Sequence, residues 1–252
     1  MANSTLITDY LGSGLAAARP ATPNISSSGC ALWYSTNTDV ASIYTVADGW
    51  NSVGGGTSPG TPPTIVQVAS SVTASASITL GAAPTNGNLL VCIAGAGGTS
   101  VGAGWTSLVN SSSGSDFSVI AYKIAGASES ATQTPLGSSS NVAMTVWEIH
   151  GQNATPFVNA ALGVNASGPL FCSTANAPGL SNVLNLAQLS TDGGSTATLG
   201  SALNMTQDTQ INTGSTRHLL SGHSTGALPV AQMLTTLSVA EGTRYGLVQV
   251  TT

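Results

Sequence analysis

The fold is decided by three apolar runs, Asn88-Leu-Leu-Val-Cys-Ile-Ala94, Phe117-Ser-Val-Ile-Ala-Tyr-Lys-Ile124 and Asn141-Val-Ala-Met-Thr-Val-Trp-Glu-Ile149. Each run has the length of a strand and contains many β-branched or aromatic residues, and segments rich in glycine and serine separate the runs. When the residues alternate between two faces, as in a strand, both faces are largely apolar. This pattern predicts strands that are covered on both sides, as in the interior of a β-sandwich.

The second half of the chain resembles a diverged copy of this central region. The segment Ser181–Leu189 resembles Gly87–Ala94, while Arg217–His223 and Tyr245–Val250 match the second and third central runs. Two similar sets of strands are what a two-sheeted antiparallel arrangement requires. We therefore predict an all-β fold, a two-sheeted antiparallel β-sandwich of jelly-roll type, preceded by an N-terminal arm and a small β-hairpin module.

Composition divides the chain into four segments. A run of glycines followed by prolines, from Val53 to Pro63, has the flexible and then stiff character of a linker. The predicted segments are an N-terminal attachment arm at 1–27, an aromatic β-hairpin module at 28–53, a Gly/Pro linker at 54–63 and a β-sandwich domain at 64–252.

The first 53 residues hold apolar and aromatic side chains in elements that are marginal alone. Asp9 is expected to cap a short helix through about Ala18, and isolated helices and hairpins of this size are barely stable in water. The aromatic side chains must therefore pack on a core, on another subunit or on a larger particle, and these alternatives stay open. The candidate interface residues are Leu6, Leu11, Leu15, Trp33, Tyr34, Tyr44 and Trp50.

Charged residues are scarce, at 5% of the chain against about 25% in typical domains. The chain has four basic residues and a formal net charge of −5, which argues against nucleic acid and anionic lipid as partners. No apolar run approaches the roughly 18 residues of a membrane-spanning helix. The first residues also lack the basic and apolar parts of a secretory signal. We therefore expect neither nucleic acid nor membrane as a partner.

Few side chains have the spacing of a catalytic or metal site. Glu148 and His150 share one face at a strand end, but an exposed polar strand end is the favoured interpretation over a metal pair. Asp116 and Glu148 could form the carboxylate pair of a glycosidase, although exposed turn and edge positions are favoured. His218 and His223 have no carboxylate nearby in the sequence. We expect no catalytic residues, no metal and no cofactor.

The three cysteines, Cys30, Cys92 and Cys172, are widely spaced and have no metal-ligand pattern. Small buried hydrophobes are the favoured interpretation, and a structural disulfide is the alternative.

Several motifs, taken in their order along the chain, resemble modules of tailed-bacteriophage proteins. A β-sandwich module that recurs in virion proteins and in prophage-encoded tail or head-spike proteins is similar to the segments Pro62–Gln67, Ala83–Val91, Gly104–Thr106, Ile120–Gly126 and Val146–Gly151. A short hairpin module of phage fibres and decoration proteins is similar to Ala31–Asp39, Ile43–Tyr44 and Asp48–Trp50.

The resemblance implies a non-enzymatic structural protein on the surface of a bacteriophage particle, assembled in the bacterial cytoplasm. It would be an oligomeric head decoration, head fibre or tail appendage, a homotrimer by analogy, with residues 1–53 attached to the major capsid protein or another virion protein. The alternative is a carbohydrate-binding module of a tail tip that recognises a host-surface glycan. Trp105 is the candidate ligand-face residue for that alternative, as an exposed aromatic platform.

Overall fold

The computed structural model resolves the chain into two compact units, Met1–Gly60 and Thr61–Thr252. The division lies inside the predicted linker, whereas the roles assigned to the four segments stay predictions. The residues that the structure describes are 9–14, 30–35, 40–45, 49–55, 61–97, 100–113, 116–138, 140–165, 170–175, 183–191, 205–212, 217–225, 230–235 and 243–252.

The N-terminal unit contains a four-stranded sheet of β1 (Asp9–Gly14), β2 (Cys30–Ser35), β3 (Val40–Thr45) and β4 (Gly49–Gly55), in that order. Strands β2, β3 and β4 pair antiparallel, and β1 pairs parallel with β2. The expected helix at Asp9 is therefore wrong for residues 9–14. Two glycines within six residues disfavour a helix there, and β2 offers the backbone of this segment a hydrogen-bonding partner.

The candidate interface residues of this unit are described only by their backbone positions. Leu6 and Leu15 lie outside the described residues. Tyr44 and Trp50 are paired across β3 and β4. The others lie on strands, Leu11 on β1 and Trp33 and Tyr34 on β2. Their role in an interface stays a prediction.

The larger unit contains fourteen described strands in two consecutive sets of seven. The first set is β5 (Thr64–Thr73), β6 (Ile78–Thr79), β7 (Leu89–Gly97), β8 (Thr106–Ser113), β9 (Asp116–Ile124), β10 (Thr132–Gln133) and β11 (Ser140–His150). The second set is β12 (Phe157–Asn165), β13 (Leu170–Ala175), β14 (Val183–Thr191), β15 (Thr206–Ile211), β16 (Leu219–Thr225), β17 (Val230–Thr235) and β18 (Thr243–Thr251).

The two sets have the same topology. The first forms a five-stranded sheet in the order β5-β11-β7-β9-β8 and a two-stranded ribbon β6-β10, and the second forms β12-β18-β14-β16-β15 with the ribbon β13-β17. The diverged copy predicted from the sequence is confirmed, as is the all-β fold with two five-stranded antiparallel sheets. The jelly-roll connectivity is not confirmed, because each sheet takes all its strands from one half of the sequence.

Two apolar clusters hold the unit together. One lies between the five-stranded sheets and is formed by the buried residues Leu89, Val91, Ile93, Ile120, Trp147, Ile149, Leu184, Leu186, Val248 and Val250. The other lies on the outer face of the first sheet, where Ile78 of the ribbon packs with Cys92 and Met144. The first sheet is therefore apolar on both faces, as the central runs predict.

Cys92 is a free thiol with no solvent exposure, and burial raises the pKa of its thiol well above the ordinary value. The interpretation of Cys92 as a small buried hydrophobe is confirmed. The side chains of Cys30 and Cys172 lie outside the described part of the chain. Among the described residues no helix is long and apolar enough to cross a bilayer.

The two sheets face each other in the manner of a symmetric dimer. Strand β7 lies against β14, its counterpart in the second set. The contact of β5 with β15 is matched by that of β12 with β8, and the contact of β11 with β16 is matched by that of β18 with β9. Such reciprocal pairs are characteristic of an isologous two-fold interface. The unit is therefore a pseudo-dimer within one chain.

The duplication extends to the irregularities of the edge strands. Each set has one extra residue in its first strand, Val66 in β5 and Val158 in β12. Each also has one in its fourth strand, Leu108 in β8 and Asp208 in β15. Because β-bulges redirect single side chains, matching bulges define equivalent positions in the two halves. Leu108 and Asp208 are therefore equivalent, although one is apolar and the other acidic.

Candidate functional site

A buried carboxylate joins the two sheets at one end of their interface. Asp208 on β15 accepts a 2.8 Å hydrogen bond from the indole Nε1 of Trp147 on β11, and its other oxygen lies 2.6 Å from Nδ1 of His223 on β16. The side chain of Asp208 is 6% exposed and that of His223 is 27% exposed. The carboxylate is thus enclosed, whereas the imidazole reaches the surface.

The strand registers explain why these three groups meet. His223 pairs with Thr206 on β15, and the bulge follows two residues later, which places Asp208 out of the regular alternation. On the opposing sheet, Trp147 lies on the face that packs against the second half. The bulge therefore brings an acidic side chain beneath a buried indole that needs a hydrogen-bond acceptor.

The hydrogen bonds also define which ring nitrogen of His223 faces the carboxylate. Indole Nε1 can only donate, so the carboxylate of Asp208 accepts there, and it accepts again from Nδ1–H of His223. In a neutral ring the proton then lies on Nδ1, and Nε2 carries a lone pair. Asp208 fixes the orientation of the ring, and Nε2 is the nitrogen that can meet a ligand.

His223 lines a cavity of about 490 Å³, within the range of small-molecule sites. The described residues of the walls are mostly apolar, with several hydroxyl groups, one imidazole and no lysine or arginine. The lining residues are Thr61, Pro62, Pro63, Thr64, Ile65, Leu184, His223 and Thr225.

The first half of the unit shows what the same position contains without these polar groups. Tyr122 in the first half is equivalent to His223 in the second half. Tyr122 pairs with Val91 of β7, and His223 pairs with Leu186, the equivalent residue of β14. Leu108 stands in place of Asp208. The first half thus has an apolar side chain and a phenol where the second half has a carboxylate and an imidazole.

The side chain that faces this position from the opposing sheet differs as well between the two ends of the interface. Ile65 pairs with Ile149 before one edge bulge, and Phe157 pairs with Val250 before the other, so Ile65 and Phe157 are equivalent. The rings of Tyr122 and Phe157 meet edge to face, with centroids 4.7 Å apart. Two aromatic rings thus pack together at one end of the interface between the sheets, whereas smaller side chains line a cavity at the other end.

The site contains an imidazole and a carboxylate, two of the groups found in acid–base catalytic centres. A hydrolase of the Ser-His-Asp kind needs a nucleophilic hydroxyl within hydrogen-bond reach of the free imidazole nitrogen. Among the described residues no serine or threonine hydroxyl is hydrogen-bonded to His223. The arrangement as it stands can orient an imidazole toward a cavity and accept a hydrogen bond there.

The sequence-predicted pair Glu148 and His150 belongs to a structural network instead. The carboxylate of Glu148 accepts hydrogen bonds from Gln67 Nε2, from Thr85 N at 2.8 Å and from Asn88 Nδ2 at 2.6 Å. Asn88 Oδ1 lies 3.0 Å from Nδ1 of His150. Glu148 is fully buried, so the expectation of an exposed strand end is wrong for this residue.

These contacts commit one oxygen of Glu148 to Thr85 and Asn88 at the neighbouring turn and the other to Gln67 on β5. The described part of the chain contains no group of three or more His, Cys, Asp or Glu side chains that could hold a metal ion. Asp116 lies on β9, but its side chain is outside the description, so its proposed pairing with Glu148 is untested.

Trp105 is not an open aromatic platform. It is 8% exposed and belongs to the apolar cluster on the outer face of the first sheet. The ammonium of Lys123 lies 5.5 Å from the centre of its ring, which places a cation over the aromatic face. The expectation that Trp105 presents an exposed ligand face is therefore wrong, because the ring is used in packing.

The sequence did not single out Asp208, and it left His223 without a carboxylate partner. The two residues are fifteen positions apart, and only a bulge brings them together. The signal that could have found them is the comparison of the two halves, in which Leu108 and Tyr122 are replaced by ionisable residues.

Comparison with known proteins adds no relative: no protein-family model, no curated protein and no solved structure gives a significant match to this chain.

Proposed function

We propose that this chain is a non-enzymatic structural protein exposed on the surface of a tailed-bacteriophage particle. It would be an oligomeric head decoration, head fibre or tail appendage. The motifs of the hairpin and sandwich segments support this proposal through their resemblance to phage modules. The observation that carries it is the division of the chain into a small N-terminal sheet unit and a large duplicated unit, the organisation expected of an anchored appendage.

The larger unit has the physical properties of an exposed body. Its apolar clusters are covered by its own sheets, and charged residues make up only 5% of the chain, so polar uncharged side chains must maintain solubility. All four edge strands of the two five-stranded sheets carry a bulge, which hinders pairing with strands of neighbouring molecules. Such a body can be displayed at high density without aggregating.

The N-terminal unit is suited to attachment. It spans about 60 residues, and domains of this size bury a smaller fraction of their surface than larger domains do. Association with other copies or with a particle would bury more of that surface. We propose that residues 1–53 bind a capsid or other virion protein and hold the chain in a homotrimer.

Imaging of particles tests the proposed location. Purified virions from cells that express the chain are labelled with antibodies raised against residues 61–252 and imaged by electron microscopy. The proposal predicts regular labelling of the head or of a tail appendage. Labelling that remains with the soluble lysate fraction, with none on particles, would reject it.

The carbohydrate-binding alternative loses its candidate platform, because Trp105 is buried. The structural role is therefore the preferred proposal.

A further inference from the structure

The geometry points to a binding site for a phenol-type ring in the cavity beside His223. The ring would occupy the space between Ile65 and Leu184, with its hydroxyl donating a hydrogen bond to Nε2 of His223. The tyrosine side chain is the biological group with this chemistry, either as part of a partner chain or as a free phenolic compound. The inference is independent of the proposed particle location, because binding is measured on the purified protein.

The internal copy indicates the shape of the occupant. At one end of the interface between the sheets, Phe157 of β12 packs edge to face against Tyr122 of β9. At the other end the equivalent side chains are Ile65 of β5 and His223 of β16, and a third position changes from Ile124 to Thr225. All three changes remove side-chain volume from the same end of the interface. The space that results is therefore equivalent to one that the rings of Tyr122 and Phe157 fill at the other end of the interface.

The polar groups indicate the chemistry of the occupant. Nδ1–H of His223 donates its hydrogen bond to Asp208, so in the neutral ring Nε2 carries a lone pair. A hydroxyl donor is the complementary group. An anionic ligand is disfavoured, because none of the described residues that line the cavity is a lysine or an arginine and Asp208 lies directly behind the imidazole. A neutral phenol supplies both the apolar ring and the donor.

The remaining walls favour a ring over a sugar. Pro62, Pro63, Ile65 and Leu184 are apolar, and hydroxyl groups come from threonines rather than from the amide and carboxyl side chains that can each make several hydrogen bonds. The cavity of about 490 Å³ also accommodates substituents on the ring, such as the backbone of a tyrosine residue.

The test is an NMR titration of the full chain with p-cresol, the analogue of the tyrosine side chain. The indole Nε1–H of Trp147 is the reporter, since it is hydrogen-bonded to Asp208, and a Trp147→Phe variant assigns its signal. We expect a saturable shift of this signal and of the ring resonances of His223. Toluene, which lacks the hydroxyl, should bind roughly three- to tenfold more weakly, the usual effect of one hydrogen bond.

Two variants locate the site. Ile65→Phe places in the cavity the ring that Phe157 supplies at the equivalent position of β12, and it should weaken p-cresol binding at least about tenfold. Val66→Phe adds the same ring at the neighbouring position, which is 50% exposed and does not line the cavity, and it should bind p-cresol normally. His223→Asn keeps a donor for Asp208 but removes Nε2, so it should abolish the preference for p-cresol over toluene.

Two further probes distinguish the source and the class of the ligand. Binding of N-acetyl-tyrosinamide would indicate a tyrosine of a partner chain, whereas binding of p-cresol alone would indicate a free phenolic compound. The inference is overturned if p-cresol gives no saturable shift up to its solubility limit, or if Ile65→Phe leaves binding unchanged. It is also overturned if hexanoate or methyl glucoside binds this site more tightly than p-cresol does.

Discussion

The indole nitrogen of Trp147 donates a 2.8 Å hydrogen bond to Asp208 across the interface between the two five-stranded sheets. At the equivalent place at the other end of this interface, Val248 stands for Trp147 and Leu108 for Asp208, so no such bond can form. The duplicated fold thus has one apolar end and one polar end. The consequences of this asymmetry can be measured.

Replacing Asp208 by leucine, the residue of the first half, should destabilise the protein. The change leaves the buried Nε1 of Trp147 without its acceptor, at a cost of about 1–3 kcal/mol, and it removes the acceptor of Nδ1 of the partly exposed His223 at a smaller cost. Urea unfolding of Asp208→Leu measures the loss. Leu108→Ala is the control for a packing change at the matching bulge, with both hydrogen bonds intact. Unchanged stability of Asp208→Leu would contradict a stabilising role for these bonds.

Asp208→Asn should change the tautomer of His223. The single amide oxygen must accept from Trp147, so the amide nitrogen faces Nδ1 of His223 and requires an acceptor there. The proton of the neutral imidazole then moves to Nε2. Ring ¹⁵N chemical shifts should show Nδ1–H in the parent chain and Nε2–H in the variant. Nε2–H in the parent chain would refute the assigned hydrogen-bond direction.

Acid should destabilise the larger unit through Glu148. Burial opposes ionisation of this carboxyl, but hydrogen bonds from Gln67, the Thr85 backbone and Asn88 hold its pKa below the ordinary value. Because the pKa is lower in the folded chain, the unfolded chain binds a proton first as the pH falls. The stabilisation is complete above the unfolded-state pKa and is lost as the pH drops through the folded-state pKa.

A glutamine in place of Glu148 tests this dependence of stability on the protonation of the carboxyl group. Glu148→Gln matches Gln249, which occupies the equivalent place in the second half. The free energy of unfolding of this variant should depend less on pH between neutrality and acid than that of the parent chain. Part of the dependence should remain, since the pKa of Glu129 is also lowered, with burial opposed by its hydrogen bond to Lys123. Identical pH profiles would show that Glu148 does not contribute.

Gly246 should be required for close packing of the sheets. A Cβ atom at this position would overlap Cγ2 of Ile93 and contact Leu162. Ile93 is β-branched and buried, so it cannot move aside easily. Gly246→Ala should cost about 1–3 kcal/mol of stability. Gly126→Ala, where a Cβ would meet no atom within 4 Å, should have a small effect. Equal stability of the two variants would contradict close packing at Gly246.

A fragment that contains only the first half should not form a stable monomer. Residues 61–151 keep the cluster under their ribbon, but they lose the second sheet that covers Leu89, Val91 and Trp147. We expect the fragment to be insoluble, molten or self-associated. A monomer with a sharp thermal transition of its own would show that residues 64–252 are not one cooperative domain.

The sequence predicts those parts of the fold that follow from the alternation of side chains between the two faces of a strand. The runs at Leu89–Gly97, Asp116–Ile124 and Ser140–His150 are strands as expected, and the repeat in the second half is real. The glycines of Asp9–Gly14 were a sign against a helix, but the pairing that makes this segment a strand comes from a partner about twenty residues away.

The candidate site depends on features that alternation does not encode. A bulge interrupts the two-residue period, so the sequence pattern alone does not show that Asp208 meets His223 and Trp147. Trp105 was the candidate for an exposed aromatic platform because it lies outside the hairpin module and the central runs, yet it packs in the apolar cluster with Ile78 of the β6-β10 ribbon. Tertiary packing decides both positions.

The most direct test of the proposed function compares the full chain with a truncated chain of residues 61–252 in assembling particles. Both are expressed with the same tag, particles are purified, and the copy number per particle and the oligomer mass in solution are measured. The proposal predicts that the full chain is an incorporated homotrimer and that the truncated chain is a folded monomer absent from particles. Incorporation of the truncated chain at the level of the full chain, with unchanged oligomer mass, would contradict the proposal.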